Sequence, residues 1–399
     1  MSEPPTNGRA VVLVIDACGA GALPDAAEYG DEGANTLAHL AEAVGGLELG
    51  VMGELGLGSI LPLRGVAPAG DPAIYGRLAP RGPGKDSITG HWELMGVTLE
   101  QALPTYPAGF GAPLVERLEA AMGRRVICNR PDNGLAAIEE FGAEHLRSGA
   151  LILYTSQDSV LQLAAHVERV PAGELYEACA AAREVMSGAD AVGRVIARPF
   201  AGREGAFVRT EGRRDLALTP PGRSYLQELE QAGIEVMAVG KVNDLFASRG
   251  ISSAHPGANN AQALQSVERL LGQDRPGLIF ANLIETDQVY GHRKDTAGFH
   301  GALRLIDEAL GRITRSLGGD DLLIVTADHG VDPAHPGTDH TREHVPLLAV
   351  TGAMQRRHDA GASRGGFRHD GPMADVGATV LAWLCDGASA GLGGASFIS

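Results

Sequence analysis

The sequence predicts an α/β protein with a mostly parallel sheet flanked by helices, interrupted by an inserted α+β domain. Three observations predict it. Short apolar runs end in polar or acidic residues, they alternate with helical patterns towards both ends of the chain, and a proline-punctuated middle segment breaks that alternation.

The apolar runs are VVLVID at 11 to 16, IEVMAVG at 234 to 240, LIFANLIETD at 278 to 287, LLIVTADHG at 322 to 330 and VPLLAV at 345 to 350. Their length and Val/Ile/Leu content suit strands buried on both faces of a parallel sheet. NAQALQSVERLLG at 260 to 272 and FHGALRLIDEALGRITRSLG at 299 to 318 read as helices between them. In the second, apolar residues recur every three or four positions and Gly318 and Gly319 mark a stop.

Pro104, Pro107 and Pro113 open the middle segment and PPG at 220 to 222 closes it. Within it RRVICN, ALILYTS, RVIARPF and GAFVRT look like strands, with EFGAEHLRSG and AGELYEACAAAREVM as helices. The expected organisation is therefore a core from residues 1–100 and 221–399, with an inserted domain at 101–220. The Gly/Ala-rich end, GASAGLGGASFIS, is expected to be a loose tail.

With 399 residues, 44% of them hydrophobic, the chain is long enough to bury a large core and to form more than one domain. Cys18, Cys128, Cys179 and Cys385 lie far apart without a CxxC pair, which favours reduced thiols and a cytoplasmic enzyme over a disulfide framework or zinc ribbon. The N-terminus lacks a signal-peptide pattern, and no run approaches the ~20 apolar residues that cross a bilayer. A formal charge of −16 argues against nucleic acid or an anionic membrane as partner.

In open α/β sheets ligands collect at the carboxyl ends of strands, and three of the expected strands carry metal-type ligands there. Asp16 ends the first, Asp287 and His292 lie in DQVYGH, Asp328 and His329 in TADHG, and His340 in GTDHTREH. A single Asp after a strand or a lone His reads more readily as a helix cap or a hydrogen-bonded polar side chain, and TADHG is the more specific element. The whole set, three carboxylates and three imidazoles, points to two cations such as Mn²⁺ or Zn²⁺; Ca²⁺ prefers an all-oxygen shell. Two ions about 4 Å apart beside a hydroxyl can drive phosphoryl transfer. The loop GKDSITGHWELMG at 84 to 96 supplies a candidate nucleophile, Ser87, with Lys85 and Asp86 beside it. The alternative is that Ser87 or Thr89 simply caps a helix beginning near His91. Arg194, Arg198, Arg203, Arg209, Arg213 and Arg214 crowd into one stretch of the insertion, as a phosphate pocket or, with Glu204, Glu211 and Asp215 interspersed, as a solvated face. Cys18, two residues after Asp16, reads as a small buried filler.

The stretches DACGAGALPDAAEYGDEGANTLAHL, GKDSITGHWELMG, YTSQDSVLQLAAH, VGRVIARPF, GKVNDLF, DQVYGHRKD, TADHG and GTDHTREHVPLL together resemble the alkaline phosphatase superfamily and, within it, the phosphopentomutase family. The resemblance implies a core of the alkaline phosphatase type with an inserted cap. It also implies two divalent ions, usually Mn²⁺ with Zn²⁺ or Mg²⁺ as alternatives, one held by Asp16, Asp328 and His329 and the other by Asp287, His292 and His340. Ser87 would take the phosphoryl group between them, and Lys85 would help neutralise its charge. Ser156, Asp158, Arg194, Ile196, Arg209 and Lys241 are implied substrate contacts. The implied reaction interconverts ribose 1-phosphate and ribose 5-phosphate, or their 2-deoxy forms, with a sugar bisphosphate as activator and no protein partner.

Three departures accompany the resemblance. Family members usually have threonine where this chain has Ser87, Val-Asp-Phe where it has Ile284, Glu285 and Thr286, and Asp-Tyr-Ala where it has Asp215, Leu216 and Ala217. A metal-dependent phosphatase or phosphodiesterase, a cofactor-independent phosphoglycerate mutase, and a sugar-phosphate-binding protein without turnover remain the alternatives.

Overall fold

The strand Arg9–Ile15, RAVVLVI, is buried on both faces, and parallel neighbours take up its backbone on either side. The computed structural model that shows this describes residues 8–156, 159–273 and 275–398. Described residues up to Gln101, together with those from Pro220 onward, form one compact unit; Ala102–Thr219 forms a second.

The first unit is built on an eight-stranded sheet. Its order is Ser253–His255, Val236–Val239, Gly277–Leu283, Arg9–Ile15, Asp321–Thr326, Val345–Thr351, Ile74–Ala79 and Gly371–Pro372. The first five run parallel, Val345–Thr351 is antiparallel to both its neighbours, and Gly371–Pro372 pairs in parallel at the edge. Register is what builds the site. Ile15 pairs with Leu283 and Val14 with Thr326, so the three central strands stop level with one another, and the residues that follow them share one end of the sheet.

Flanking helices bury one stripe each. Thr296–Ser316 turns Phe299, Leu303, Ile306, Leu310 and Ile313 inward, and Asp295 caps it by accepting from the Gly298 N–H at 2.9 Å. Asn260–Leu271 is capped in the same way by Asn259.

The second unit is a mixed six-stranded sheet. Val126–Pro131, Leu151–Thr155, Val160–His166, Arg194–Arg203 and Ala206–Arg209 follow in order, and Arg214–Ala217 also pairs with Arg194–Arg203. Helices Ala112–Met122 and Ala172–Val185 cover one face through Leu114, Leu118, Leu175 and Cys179 against Leu153, Leu163 and Val195. Helix Gly134–Ser148 covers the other, where Ile138 meets Ile152, Tyr154 and Phe200.

Several expectations are corrected. The run LIFANLIETD is strand only to Leu283; Asp287 lies beyond it in a π-helical turn, Thr286–Tyr290. Strands Ile74–Ala79, Val160–His166, Arg214–Ala217 and Ser253–His255 go unrecognised in the sequence. The C-terminal segment is anchored, not loose: Ala395 N–H donates to Asp375 (2.8 Å), Phe397 N–H donates to the Thr379 hydroxyl (3.1 Å), and the Phe397 ring is buried. All four cysteines are free, and no helix among the described residues is long and apolar enough to cross a membrane.

Because Leu13 is fully buried in the strand that presents Asp16, Leu13→Ala is expected to lower unfolding stability by about 2–5 kcal/mol in a denaturant titration.

Candidate active site

Asp16 directly follows its strand, and the chain turns away at Ala17, whose φ of 62° lies in the left-handed region that alanine rarely occupies. The Ala17 N–H donates to Asp328 Oδ1 at 3.0 Å, tying together the ends of neighbouring strands. A second tie comes from Thr286: its buried hydroxyl donates to the Asp16 carbonyl at 2.6 Å, immediately before Asp287. This is one of the positions where the sequence departs from its family resemblance.

Six expected ligands converge here. Asp16, Asp328 and His329 each offer a ligand atom within 4.8 Å of the others, and so do Asp287, His329 and His340. His329 thus stands between the two groups, whereas the sequence placed it with the first alone. His292 joins the second through Asp287, whose Oδ1 is 3.3 Å from the Nε2 atoms of both His292 and His340.

The donor chemistry fits divalent cations. His292 Nδ1 is 2.7 Å from the Thr338 carbonyl and His329 Nδ1 is 3.1 Å from the Gly330 carbonyl, so each of those nitrogens carries the proton that it donates. The opposite nitrogens then turn towards carboxylate oxygens, an arrangement that needs a proton or a cation between them. Asp287 Oδ1 is buried with the Nε2 atoms of His292 and His340 each 3.3 Å away, and Asp328 Oδ2 with His91 Nδ1 at 3.2 Å and His329 Nε2 at 3.4 Å, so imidazole nitrogens are the groups set against both oxygens. With protons alone the charges are strongly linked. Burial raises the Asp16 carboxyl, but the hydrogen bond and charge of His329, helped by His91 and Asn282, hold it well below the usual range. Burial lowers His329, yet Asp328 and Asp16 outweigh it and lift the imidazole well above its ordinary value. Asp328 is raised by burial and by the Asp16 charge. Burial likewise raises Asp287, but the hydrogen bond and charge of His340 bring it below the ordinary value.

Ser87 is the first residue of helix Ser87–Leu94. Its hydroxyl lies 3.3 Å from Asp16 Oδ1 and 3.1 Å from His329 Nε2, facing the ligand cluster. Thr89 is engaged elsewhere. The Asp86 side chain accepts from the Ile88 and Thr89 N–H groups at 2.9 and 3.2 Å, and the Thr89 hydroxyl donates back to Asp86 Oδ2 at 2.9 Å. Asp86 and Thr89 are therefore the cap, and Ser87 is left facing the carboxylates. Gly90 allows the helix to approach the Asp328 backbone; a Cβ there would sit 2.3 Å from the Asp328 carbonyl oxygen.

Lys85 points its ammonium at the buried Asp31, 2.8 Å away. Lys241 donates to Gln288 Oε1 at 2.5 Å, beside the turn that carries Asp287. In the second unit Arg194, Ile196 and Arg198 alternate onto the sheet face that also carries Tyr154 and Gln162. Ile196 is buried there, and Arg194 lies 3.7 Å from Asp215. Burial above all, with the charges of Arg213 and Arg209 adding to it, pushes the Arg198 guanidinium down to about 10. Arg209 lies on the adjoining strand Ala206–Arg209, and Ser156 follows strand Leu151–Thr155. Asp158 lies outside the described residues. Cys18 is buried as expected, and burial pushes its thiol up, followed by the charges of Glu343 and Asp328.

Two neighbours of the cluster were not singled out from sequence. His91, fully buried one turn after Ser87, has Nδ1 2.7 Å from the Ser87 carbonyl and 3.2 Å from Asp328 Oδ2. Its Nε2 is 3.2 Å from Asn282 Nδ2, which donates to Asp16 Oδ2 at 2.9 Å. A polar Asn282 inside an otherwise apolar strand was the available signal.

A family model described as Metalloenzyme superfamily matches residues 8–385, which places the chain in a superfamily of metal-dependent enzymes. Its relatives narrow this. The chain is 46% identical over 373 residues to a phosphopentomutase of Caldanaerobacter subterraneus, covering 93% of each, and 47% identical over 375 residues to one of Carboxydothermus hydrogenoformans, covering 93% and 94%. The chain belongs to the phosphopentomutase family. In fold it is similar to the phosphoglycerate mutase of Leishmania mexicana, with a TM-score of 0.50, 13% identity and 97% of each chain covered. The α/β architecture expected from the sequence, a mostly parallel sheet flanked by helices with a second unit inserted between its two parts, is the one found.

His91→Gln is expected to weaken divalent-metal binding about 10- to 100-fold in a calorimetric titration, because the imidazole orients Asp328 directly and Asp16 through Asn282.

Proposed function

We infer that this chain interconverts ribose 1-phosphate and ribose 5-phosphate, together with their 2-deoxy forms, as a cytoplasmic, Mn²⁺-dependent phosphopentomutase. The observation that carries the reading is the Ser87 hydroxyl within 3.3 Å of Asp16 and His329, at the junction of two candidate ligand groups. Family membership supplies the reaction class.

Asp16, Asp328 and His329 would hold one cation, and Asp287, His292 and His340 the other, with the Ser87 hydroxyl beside Asp16 and His329. When bound, the pair of divalent ions acidifies the attacking hydroxyl and neutralises charge on the phosphoryl group in flight. The resting enzyme carries that group on Ser87, at a helix N-terminus whose dipole favours an anion. The Ser87 Oγ–P bond breaks as the free hydroxyl of a pentose monophosphate bonds to phosphorus, and the proton that hydroxyl loses ends on the leaving Ser87 oxygen. The resulting 1,5-bisphosphate reorients and returns its other phosphoryl group to Ser87. A sugar bisphosphate primes an unphosphorylated enzyme.

In this reading Arg194 and Arg209 bind the phosphate that is not reacting, with Ser156 and Ile196 beside it; Asp158 accepts from ribose hydroxyls and Lys241 pairs with phosphate. The sheet face supports it, since Arg194 and the half-buried Arg198 stand on it two residues to either side of Ile196, and guanidinium groups suit a phosphate. Lys85 lends its charge to the nucleophile loop from its place on Asp31.

Supplied with Mn²⁺, ribose 1-phosphate and a bisphosphate primer, the protein is expected to yield ribose 5-phosphate in a phosphorus NMR assay. Free phosphate would instead indicate a hydrolase, and unchanged substrate a binding protein. Ser87→Ala is expected to lose at least about 10³-fold in turnover, together with the phosphoserine signal in peptide mass spectrometry. Chelation is expected to abolish activity, with Mn²⁺ restoring it.

A further inference from the structure

The backbone of the loop leading into Ser87 is held almost atom by atom, and one side chain does most of the holding. Arg342 Nη1 donates to the carbonyls of Gly82 at 2.8 Å and Gly84 at 2.9 Å. Between them, the Pro83 carbonyl accepts from the Tyr29 hydroxyl at 3.1 Å. The rest of the Arg342 fork grips Asp25, with Nη2 at 2.9 Å and Nε at 3.2 Å, and the guanidinium carbon lies 4.9 Å from the Tyr29 ring centre. The Arg342 backbone N–H donates to Asp31 Oδ2 at 2.9 Å, the oxygen that also takes the Lys85 ammonium. Upstream, Glu93 accepts from the Arg81 and Gly82 N–H groups at 2.6 and 2.9 Å.

Three consecutive carbonyls in a loop have no partners from secondary structure and would otherwise rely on water. Here they are met by groups that do not move with the loop. Arg342 is only 4% exposed and follows His340 by two residues, so the segment that delivers a ligand to the cluster also fixes the path of the nucleophile loop. Only a guanidinium meets the geometry: one terminal nitrogen reaches two carbonyls, the opposite edge reaches a carboxylate, and the flat face lies near an aromatic ring. Lysine keeps the charge but cannot make these contacts together.

We propose that Arg342 is a positioning residue for phosphoryl transfer, clamping the Gly82–Gly84 backbone so that the Ser87 oxygen is held in line with the metal ligands. This rests on Ser87 as the nucleophile. A displacement of about 1 Å at a reacting atom costs on the order of 10²-fold in rate, so the clamp acts on turnover more than on substrate binding.

The test uses Arg342→Ala and Arg342→Lys in the full chain with Mn²⁺. Both are expected to lose about 100-fold in kcat with KM for ribose 1-phosphate within about twofold of wild type. Guanidinium chloride at low millimolar concentration is expected to raise kcat of Arg342→Ala by about tenfold or more, by refilling the buried guanidinium position, and to leave wild type and Arg342→Lys unchanged. A folded Arg342→Ala protein that guanidinium does not restore, or a KM that rises in step with the loss of kcat, overturns the proposal. Should Arg342→Ala not fold, amide exchange of Arg342→Lys decides: faster exchange confined to residues 81–87 supports the clamp, and unchanged exchange there overturns it. That readout needs no turnover. Ser87→Ala retaining mutase activity would remove the functional reading while leaving the exchange result to stand on its own.

Discussion

Three carboxylates with little or no access to water, gathered at one end of a sheet, form the constraint on which the rest of the structure depends. Asp16, Asp287 and Asp328 are 4%, 9% and 2% exposed, and the charged groups set against them are imidazoles. Buried charges of one sign are tolerated only if something of opposite sign lies between them. Protons on His329 and His91 can do part of this, as the raised basicity of both imidazoles records. Two divalent cations would do it more completely, and ligand atoms of Asp16, Asp328 and His329, and of Asp287, His329 and His340, already lie within 4.8 Å of one another.

The remainder of the site keeps those groups from relaxing apart. Glu343, fully buried, accepts from the Gly21 and Thr36 N–H groups and from the Thr36 and Thr341 hydroxyls, so one carboxylate joins the turn after Asp16 to the segment after His340. Burial raises its carboxyl above the usual range, against the pull of these bonds. Gly19 and Gly330 make that approach possible, since a Cβ at either would fall within about 2.5 Å of the Glu343 carboxyl oxygens. Asp31 does a similar service for Lys85, His335 and Arg342. Loops at this end of the sheet therefore hold fixed positions, which preorganised electrostatic catalysis demands.

The candidate ligands were legible because the strands that precede them are buried on both faces: an unbroken apolar run makes a terminal Asp or His conspicuous. Asp287 shows the limit of that signal, since the strand stops at Leu283 and a π-helical turn carries the carboxylate the rest of the way. Strand Ile74–Ala79 was hidden by its half-buried alternation and by Gly76 and Arg77 within it, and Ser253–His255 is three residues at a sheet edge. The partners of the ligands were less visible still. Arg342 is 258 residues from Gly84 and 317 from Asp25, and Glu343 is 307 from Thr36, distances at which no periodicity or spacing connects two side chains. Ser87 and Thr89 could not be told apart by type; only the cap formed by Asp86 separates them.

The central claim is that six side chains seat two cations beside one serine oxygen. Crystals grown with Mn²⁺ and measured at the manganese absorption edge test it most directly. The account predicts two anomalous peaks, one against Asp16, Asp328 and His329, the other against Asp287, His292 and His340, with the Ser87 oxygen facing both. A single peak, or peaks remote from Ser87, would contradict it.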